Sequence, residues 1–458
     1  MSNVAAAITE LQTLLDERLS TAQAVLDQHG TSETYYAPAP PDAVAFARNT
    51  NEVSDIVKIC AKYACPIVPW GVGTSLEGHA LAIKGGVTIN LSQMDQVIHV
   101  YPEDLLAVVQ PGLTREALNE DLRATGLFFP VDPGANATIG GMTATRASGT
   151  TAVRYGTMKE NVLALEVVLA DGRIIRTGTR AKKSSSGYDL TNLMVGSEGT
   201  LGIITEITLR LQGQPEAIAA AVCDFPDIEA AVNTVITAVQ MGIPMARMEL
   251  IDTLSMRALN QYSHLGLPEK PHLFMEFHGS EAGVTEQSGM LKELATDFGG
   301  GDFKWSTKTE DRNKLWHARH NAFFATKALR PGFFGMSTDV CVPISKLAEA
   351  IIQTAEDAAE HGLFAPILGH VGDGNYHTLF LTDPAKPEEL ALAQKLSHRM
   401  NTRALALGGT VTGEHGIGIG KMKYMVEEHG DAWSVMADIK RTFDPQNIMN
   451  PGKVVQIN

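Results

Sequence analysis

The sequence predicts an α+β protein with more than one domain. A chain of 458 residues, 44% of them hydrophobic, exceeds the size at which a single core usually stops growing. From about residue 38 to 214, short β-branched runs alternate with loops rich in Gly, Ser and Thr. Beyond Pro215, helical patterns interleave with strands, which predicts helices covering one face of an antiparallel sheet. The predicted divisions are 1–37, 38–214, 215–420 and 421–458.

Hydrophobic spacing defines individual elements within these divisions. Near the N-terminus, Ile8, Leu11, Leu15 and Leu19 recur at helical spacing and predict a packed helix. A second helix has an apolar face and a capping residue, Asn49 or Thr50, at its start. The tail is predicted to be helical from about residue 421 and then to end as an ordered, non-helical segment. The apolar face of the second helix consists of Val53, Ile56, Val57 and Cys60.

Composition excludes several classes of partner. A formal charge of -15 and a pI near 5.4 leave no basic stripe for nucleic acid or for an anionic membrane surface. The four cysteines are scattered, so we interpret them as reduced packing residues. We find no secretory leader and no apolar run long enough to span a bilayer. These features predict a cytoplasmic protein, with peripheral attachment to the inner face of a membrane left open.

Three glycine-rich segments stand out in the first half of the chain. They are PWGVGTSLEG at 69–78, VDPGANATIGG at 131–141 with its continuation to Gly156, and GSEGTLG at 196–202. Small residues let backbone N–H groups close around an anion such as a pyrophosphate. The first segment is neither a Rossmann fingerprint nor a P-loop, and taken alone it also fits an ordinary turn between strands. A long, flat, phosphate-bearing cofactor would explain all three.

These segments resemble the FAD-binding domain of the vanillyl-alcohol oxidase flavoprotein superfamily, in its D-lactate dehydrogenase and glycolate oxidase branch. The resemblance covers about residues 38–458 and implies a two-subdomain FAD-binding domain, a substrate and metal cap domain, and a C-terminal segment returning to the FAD domain. FAD is expected to be non-covalent, and His79, near the attachment position of some relatives, also fits a hydrogen-bonding role. The implied FAD-binding residues are Gly71, Val72, Gly73, Thr74, Ser75, Gly78, Pro133, Gly134, Thr138, Gly141, Ala144, Ser148, Gly149, Tyr155, Glu198, Ile204 and Asn450.

A second constellation lies in the other half of the chain. In the motif HVGDGNYH, the turn-forming DGN lies between two apolar runs, so a hairpin would return His377 alongside His370. The motif GEHGIG adds Glu414 and His415. Two imidazoles and one carboxylate form a common ligand set for Zn or Mn. Both motifs resemble those of metal-dependent 2-hydroxy acid dehydrogenases, which implies that His370, His377 and Glu414 bind the metal and that His415 is the base.

The resemblance also implies a reaction. The metal would hold the carboxylate and C2 oxygen of a small 2-hydroxy acid, His415 would take the hydroxyl proton, and hydride would pass from C2 to flavin N5. In relatives an arginine at the position of Arg319 clamps the substrate carboxylate, although a surface salt bridge is the alternative. Asn375 could donate a hydrogen bond to the substrate or could serve only as a turn former. Trp316 could line the substrate pocket or could be a core residue.

The substrate and the electron acceptor stay open at this stage. D-2-hydroxyglutarate dehydrogenases place a lysine in the strand after the helix that holds Arg319, whereas the stretch 335–343 has none, which favours D-lactate. Because Lys327 lies close to this stretch in the sequence, a dicarboxylate substrate remains an alternative. Glycolate is a further alternative. A flavin-dependent transferase of the ether-lipid type is the alternative from another class. No motif binds heme or an iron–sulfur cluster, so electrons must pass to a cytochrome, a quinone, an electron-transfer flavoprotein or oxygen.

Overall fold

The computed structural model describes residues 3–32 and 34–457, which form two compact units. The first unit comprises Met1–Ser148, Gly156–Gln214 and Glu414–Asn458, and the second comprises Gly149–Tyr155 and Pro215–Gly413. Both units combine helices with sheets, in agreement with the predicted α+β class. Among the described residues, no helix has the length and apolarity needed to cross a bilayer.

A four-stranded sheet forms one core of the first unit. The predicted helix spans Thr50–Lys62, the Asn49 side chain caps it by accepting from the Glu52 N–H, and its predicted apolar face is buried. The N-terminal helix ends at Leu15, so the prediction was wrong for Leu19, which lies in a short strand beside Ala45. The strands in sheet order are Leu19–Ser20, Ala43–Phe46, Val87–Asn90 and Ile67–Trp70, the last three parallel.

A five-stranded antiparallel sheet forms the second core of this unit. Its strands in sheet order are Val97–Tyr101, Leu106–Val109, Ile203–Arg210, Val162–Val168 and Ile174–Gly178. A two-stranded ribbon pairs Leu127–Phe128 with Gln212–Gly213. The accompanying helices are Arg115–Leu122, Ile139–Thr145, Met158–Asn161 and Leu190–Met194.

The last part of the chain also belongs to the first unit. Helices Met425–His429 and Ala432–Phe443 are followed by an ordered segment without regular helix, as predicted from its prolines and glycine. This segment adds to the edge of the four-stranded sheet, where Ile67 donates to the Ile448 carbonyl and accepts from the Asn450 N–H. The sheet thereby fixes the position of residues 448–450.

The second unit is built on one large sheet with antiparallel neighbours. Helices cover both faces, not the single face that the sequence predicted. The reason lies in the strands: Ala219 and Ala221 face one helix layer, whereas Ala220 and Val222 face another, because side chains alternate along a strand. The strands are Lys304–Ser306, Ala217–Asp224, His272–Gly279, Met245–Ile251, Ile367–His370, Asn375–Thr382, Phe334–Ser337 and Val340–Cys341.

The helices of the second unit fall into two layers. Those on the face of Ala219 include Ile228–Gln240, Glu281–Asp297, Leu347–Glu360 and Pro387–Ala406. Those on the opposite face are Thr253–Ser263, Thr309–His320 and Ala322–Leu329. The short helix Ala152–Tyr155 also belongs to this unit.

Candidate active site

A hairpin of the large sheet brings His370 and His377 together. His370 ends one strand, the chain turns at residues 371–374, and His377 pairs with Leu368 in the returning strand. The two buried rings lie with their centroids 5.5 Å apart. Gly374 permits the turn because its φ is +80° and a Cβ there would overlap the Val342 carbonyl oxygen.

Each imidazole has an oxygen acceptor behind it. His370 Nδ1 lies 2.7 Å from a carboxylate oxygen of Glu249, and His377 Nδ1 lies 3.0 Å from the Thr338 carbonyl oxygen. A neutral imidazole that donates through Nδ1 presents the lone pair of Nε2, which is the state required of a metal ligand. The Asp339 carboxylate lies 3.5 Å from His377 Nδ1 and adds negative charge beside that ring.

Glu414 follows directly on the last residue of this unit. The Gly413 N–H donates to Asp339 at 2.8 Å, and the Thr412 hydroxyl donates to the same oxygen at 2.7 Å. His370 and His377 can each offer a ring nitrogen to a metal ion, and Glu414, which the sequence analysis expects as the third ligand, is the residue after Gly413. Two nitrogens and a carboxylate oxygen suit Zn or Mn and leave coordination positions for other ligands.

Arg319 is buried and paired with a protein carboxylate. It lies in the helix Thr309–His320, and its Nε and Nη2 donate to one oxygen of Glu249 at 2.8 and 2.6 Å. This excludes the predicted alternative of a surface salt bridge. One edge of the guanidinium is therefore occupied, and within residues 3–32 and 34–457 no hydrogen bond from Nη1 is seen. That atom is the guanidinium donor left for a further acceptor.

The other two predicted substrate residues have structural contacts. Trp316 lies in the hydrophobic cluster under its helix, and the Arg247 guanidinium lies over its ring at 4.5 Å, which fits the core role. Asn375 uses its amide group internally, donating to Asp339 at 2.7 Å and to the Val340 carbonyl at 2.8 Å. The predicted hydrogen bond from Asn375 to the substrate conflicts with these contacts, because both hydrogens of its amide group already have acceptors.

In the first unit, two of the glycine-rich segments lie against each other. A Cβ on Gly71 would overlap the Thr138 hydroxyl, and one on Gly73 would overlap the Trp70 ring. Thr138 caps the helix Ile139–Thr145 by accepting from the Gly141 N–H. The chain thus needs small residues at these points, because a Cβ would overlap a neighbouring side chain. Val72 is exposed, whereas Gly134 has open space around its Cα.

Glu198 connects the third segment with the loop after His415. Its carboxylate accepts from the Ile417 and Gly418 N–H groups at 2.7 and 2.8 Å, and it lies 3.1 Å from His79 Nε2. Its backbone N–H donates to the Ala144 carbonyl oxygen. The His79 ring therefore lies beside a buried carboxylate, but neither of its nitrogens makes a hydrogen bond within the described residues, so the hydrogen-bonding role stays a prediction.

The C-terminal segment contacts the same group. Asn450 donates to the carbonyl oxygens of Glu198 and His79 at 2.7 and 3.1 Å, and Lys453 donates to those of His79 and Leu81. Burial lowers the pKa of Lys453 to about 7. Sequence reasoning missed Lys453, Glu249 and Asp339, because nothing in their local spacing distinguishes them.

The remaining predicted FAD residues are distributed over both units. Thr74, Ser75, Gly78, Pro133, Ala144, Ser148 and Ile204 belong to the first unit, while Gly149 and Tyr155 belong to the second. Tyr155 lies 2.6 Å, through its hydroxyl, from His278 Nδ1, and Glu276 lies 2.8 Å from the other ring nitrogen. Burial raises the pKa of Tyr155, which favours a neutral phenol there.

Comparisons with known families agree with the loops and the hairpin. Residues 41–178 match the FAD binding domain, and residues 214–454 match the C-terminal domain of FAD linked oxidases. Both matches define a flavoprotein. The chain belongs to the family of FAD linked oxidases and is an FAD-dependent oxidoreductase.

Several curated relatives share most of the chain. A probable mitochondrial D-lactate dehydrogenase of Danio rerio is 50% identical over 96% of this chain and 90% of the relative. A mitochondrial D-lactate dehydrogenase [cytochrome] of Arabidopsis thaliana is 46% identical over 98% and 80%, respectively. Glycolate oxidase subunit GlcD of Bacillus subtilis is 35% identical over 90% and 89%. The sequence-based assignment to this branch is confirmed.

Solved structures share the fold of this chain. A p-cresol methylhydroxylase has a TM-score of 0.79 at 19% identity, covering 98% of this chain and 96% of the other. An alkyldihydroxyacetonephosphate synthase has a TM-score of 0.75 at 18% identity, covering 98% and 85%. Since an oxidising enzyme and a synthase share the fold at similar scores, the fold alone does not select the reaction.

Proposed function

We propose that this protein oxidises D-lactate to pyruvate with FAD and a divalent metal and passes the electrons to an external acceptor. The observation that carries the proposal is the pair of buried imidazoles in the hairpin, each oriented through Nδ1, with Glu414 next to Gly413. Sequence identity of 46–50% to D-lactate dehydrogenases supports the substrate.

The donor set fits the metal. Neutral imidazole nitrogens and a carboxylate are ordinary ligands of Zn and Mn, and the three ligands leave room for substrate oxygens. His370, His377 and Glu414 would hold it. A divalent ion bound there would supply a Lewis acid that lowers the pKa of the substrate hydroxyl. The choice between Zn and Mn is open to direct metal analysis.

The residues of the chain have separable tasks in this scheme. Arg319 orients the substrate carboxylate through the guanidinium edge that Glu249 does not occupy. His415 accepts the hydroxyl proton, since histidine is the side chain most often used as a general base. FAD, when bound, would supply the acceptor for the hydride from C2. The FAD-binding residues proposed are those predicted from the sequence.

The substrate-specific part concerns the strand Phe334–Ser337 and the residues that follow it. Met336 is buried and uncharged, Thr338 is hydrogen-bonded to strand Asn375–Thr382, and Asp339 is committed to internal donors. A lysine that would meet a distal carboxylate is absent from 335–343. A short, uncharged substrate tail is therefore favoured over that of D-2-hydroxyglutarate.

Electron transfer and location complete the proposal. A cytochrome is the favoured acceptor because several relatives are named for one, with quinone, electron-transfer flavoprotein and oxygen as alternatives. Cytoplasmic location, peripheral to a membrane or free, is supported by four unpaired cysteines, a state typical of a reducing compartment. Cell fractionation and assays with purified acceptors test these two points.

A turnover assay with an artificial dye acceptor tests the substrate. Purified enzyme should form pyruvate from D-lactate, with much lower kcat/KM for L-lactate, glycolate and D-2-hydroxyglutarate. A higher kcat/KM for one of the other acids would replace D-lactate. Absence of turnover with all four acids would favour the transferase that the shared fold also permits.

A further inference from the structure

One buried carboxylate lies between two parts of the proposed site. Glu249 is in the central strand Met245–Ile251, where it is directly opposite His370 in the neighbouring strand. Its side chain is fully buried. One oxygen lies 2.7 Å from His370 Nδ1, and the other accepts from Arg319 Nε and Nη2 at 2.8 and 2.6 Å. A single side chain therefore contacts the proposed metal ligand and the proposed substrate clamp.

We propose that Glu249 is a positioning residue that couples metal binding to recognition of the substrate carboxylate, an inference that rests on the proposed function. Its contact with His370 keeps the proton on Nδ1 and directs Nε2 toward the metal. Its contact with Arg319 fixes the guanidinium plane and leaves the Nη1 edge for the substrate. Carboxylates behind histidine ligands raise their basicity and set their orientation, and their loss typically costs about 10–100-fold in metal affinity or activity.

The negative charge of Glu249 can serve both His370 and Arg319. A buried guanidinium needs a carboxylate, and a histidine ligand benefits from the same negative charge. Two oxygens on one side chain satisfy both partners at a fixed separation. Moving either partner would therefore disturb the other, which predicts that the metal and the substrate clamp respond together to a change at Glu249.

The neighbouring strand contains a matched comparison. Glu276 is also buried and lies between a histidine and an arginine, His278 at 2.8 Å and Arg247 at 3.5 Å. It lies opposite Arg247 in the same sheet, and neither of these partners is a proposed ligand or clamp. Glu276→Gln thus removes a similar buried charge without touching the metal ligands.

The experiment compares E249Q with E276Q as full-length proteins. Metal affinity is measured by competition with a chromophoric chelator for Mn²⁺ and Zn²⁺, thermal stability by circular dichroism, and KM for D-lactate under metal saturation. We expect E249Q to bind metal about 10–100-fold more weakly and to have a raised KM after metal is restored. E276Q should lose thermal stability but keep the metal affinity of the wild type.

Two further variants keep the test decisive if E249Q unfolds. E249Q/R319Q removes both buried charges and should fold while still binding metal more weakly, whereas R319Q alone retains the Glu249–His370 contact and should bind metal as the wild type does. Unchanged metal affinity in E249Q and in the double variant would overturn the inference, as would absence of metal binding by the wild type. A wild type that binds metal but does not oxidise D-lactate would instead refute the proposed substrate, while the metal affinities would still decide the role of Glu249.

Discussion

Asp339 accepts a hydrogen bond from the Asn375 amide at 2.7 Å, and this contact joins the start of the second hairpin strand to the segment that follows strand Phe334–Ser337. The same carboxylate accepts from Thr412 and from the Gly413 N–H. Asp339 is fully buried. These contacts connect residues 412 and 413, which precede Glu414 in the chain, to the hairpin that holds His377.

Replacement of Asp339 by alanine should therefore affect both stability and metal. Because several buried donors would lose their acceptor, the free energy of unfolding should fall by about 3 kcal/mol. Urea denaturation measures the loss, and chelator competition should show weaker metal binding. Asp121→Ala, at an exposed position, should change stability by no more than about 0.5 kcal/mol. Equal stability of both variants would contradict the importance of these contacts.

Substitution of a metal-ligating side chain should remove the metal but leave the FAD bound. His370→Ala should lose bound metal and turnover together but retain FAD, since the predicted flavin residues do not include this histidine. Metal analysis and the flavin absorbance of the purified protein measure the two contents. His361→Ala is the control, because His361 lies in the same unit and, within the part of the chain that the structure describes, is hydrogen-bonded to the Asp357 carbonyl. Full metal content in His370→Ala would remove this residue from the site.

Substitution of the proposed base, His415, should affect turnover without affecting the content of metal or FAD. His415→Ala should retain FAD and metal and lose about 10²–10⁴-fold in kcat, the usual contribution of a positioned general base. His429→Ala, at the end of the helix Met425–His429, should keep the kcat of the wild type. Stopped-flow measurement of flavin reduction at several pH values checks the assignment. A kcat within a few-fold of the wild type would mean that another group takes the proton.

A buried helix cap provides a pH test of stability. Asp252 accepts from the Ser255 N–H and starts the helix Thr253–Ser263, and burial raises its pKa to about 6, above the ordinary range of an aspartate. Because the folded protein holds this proton more tightly than the unfolded chain, the contribution of Asp252 to stability falls as pH rises from about 4 to 6.

The substitution Asp252→Asn should remove that dependence while keeping an acceptor for the cap. Relative to the wild type, we expect the variant to gain roughly 1–3 kcal/mol in free energy of unfolding between pH 4 and 7. Urea denaturation at intervals across this range measures the difference. If the difference between the two proteins is the same at every pH, Asp252 does not titrate in this way.

Local sequence patterns predicted the elements that depend on nearby residues. The helix from Thr50, with its cap Asn49, follows from periodicity and capping chemistry, and the hairpin at His370 follows from a turn between apolar runs. The prediction that Leu19 belongs to the N-terminal helix was wrong. A leucine in a strand that follows a helix can be buried at the same sequence separation as a leucine in the helix itself.

Contacts between distant strands lay beyond such reasoning. Glu249 lies far from His370 along the chain and meets it only because two strands of the large sheet are neighbours. Asp339 likewise meets Asn375 and Gly413 through the sheet. The helices on the second face of that sheet were missed for a related reason. The sequence of a strand such as Ala217–Asp224 does not by itself reveal that helices cover both of its faces.

The central claim is that D-lactate reduces the flavin in a reaction that needs the metal at His370 and His377. Anaerobic titration of the purified enzyme with D-lactate, before and after removal of metal by a chelator, tests it most directly. We predict loss of the oxidised-flavin absorbance in the metal-replete enzyme, almost none in the stripped enzyme, and recovery when Mn²⁺ or Zn²⁺ is returned. Equal reduction of the flavin with and without metal would contradict the claim.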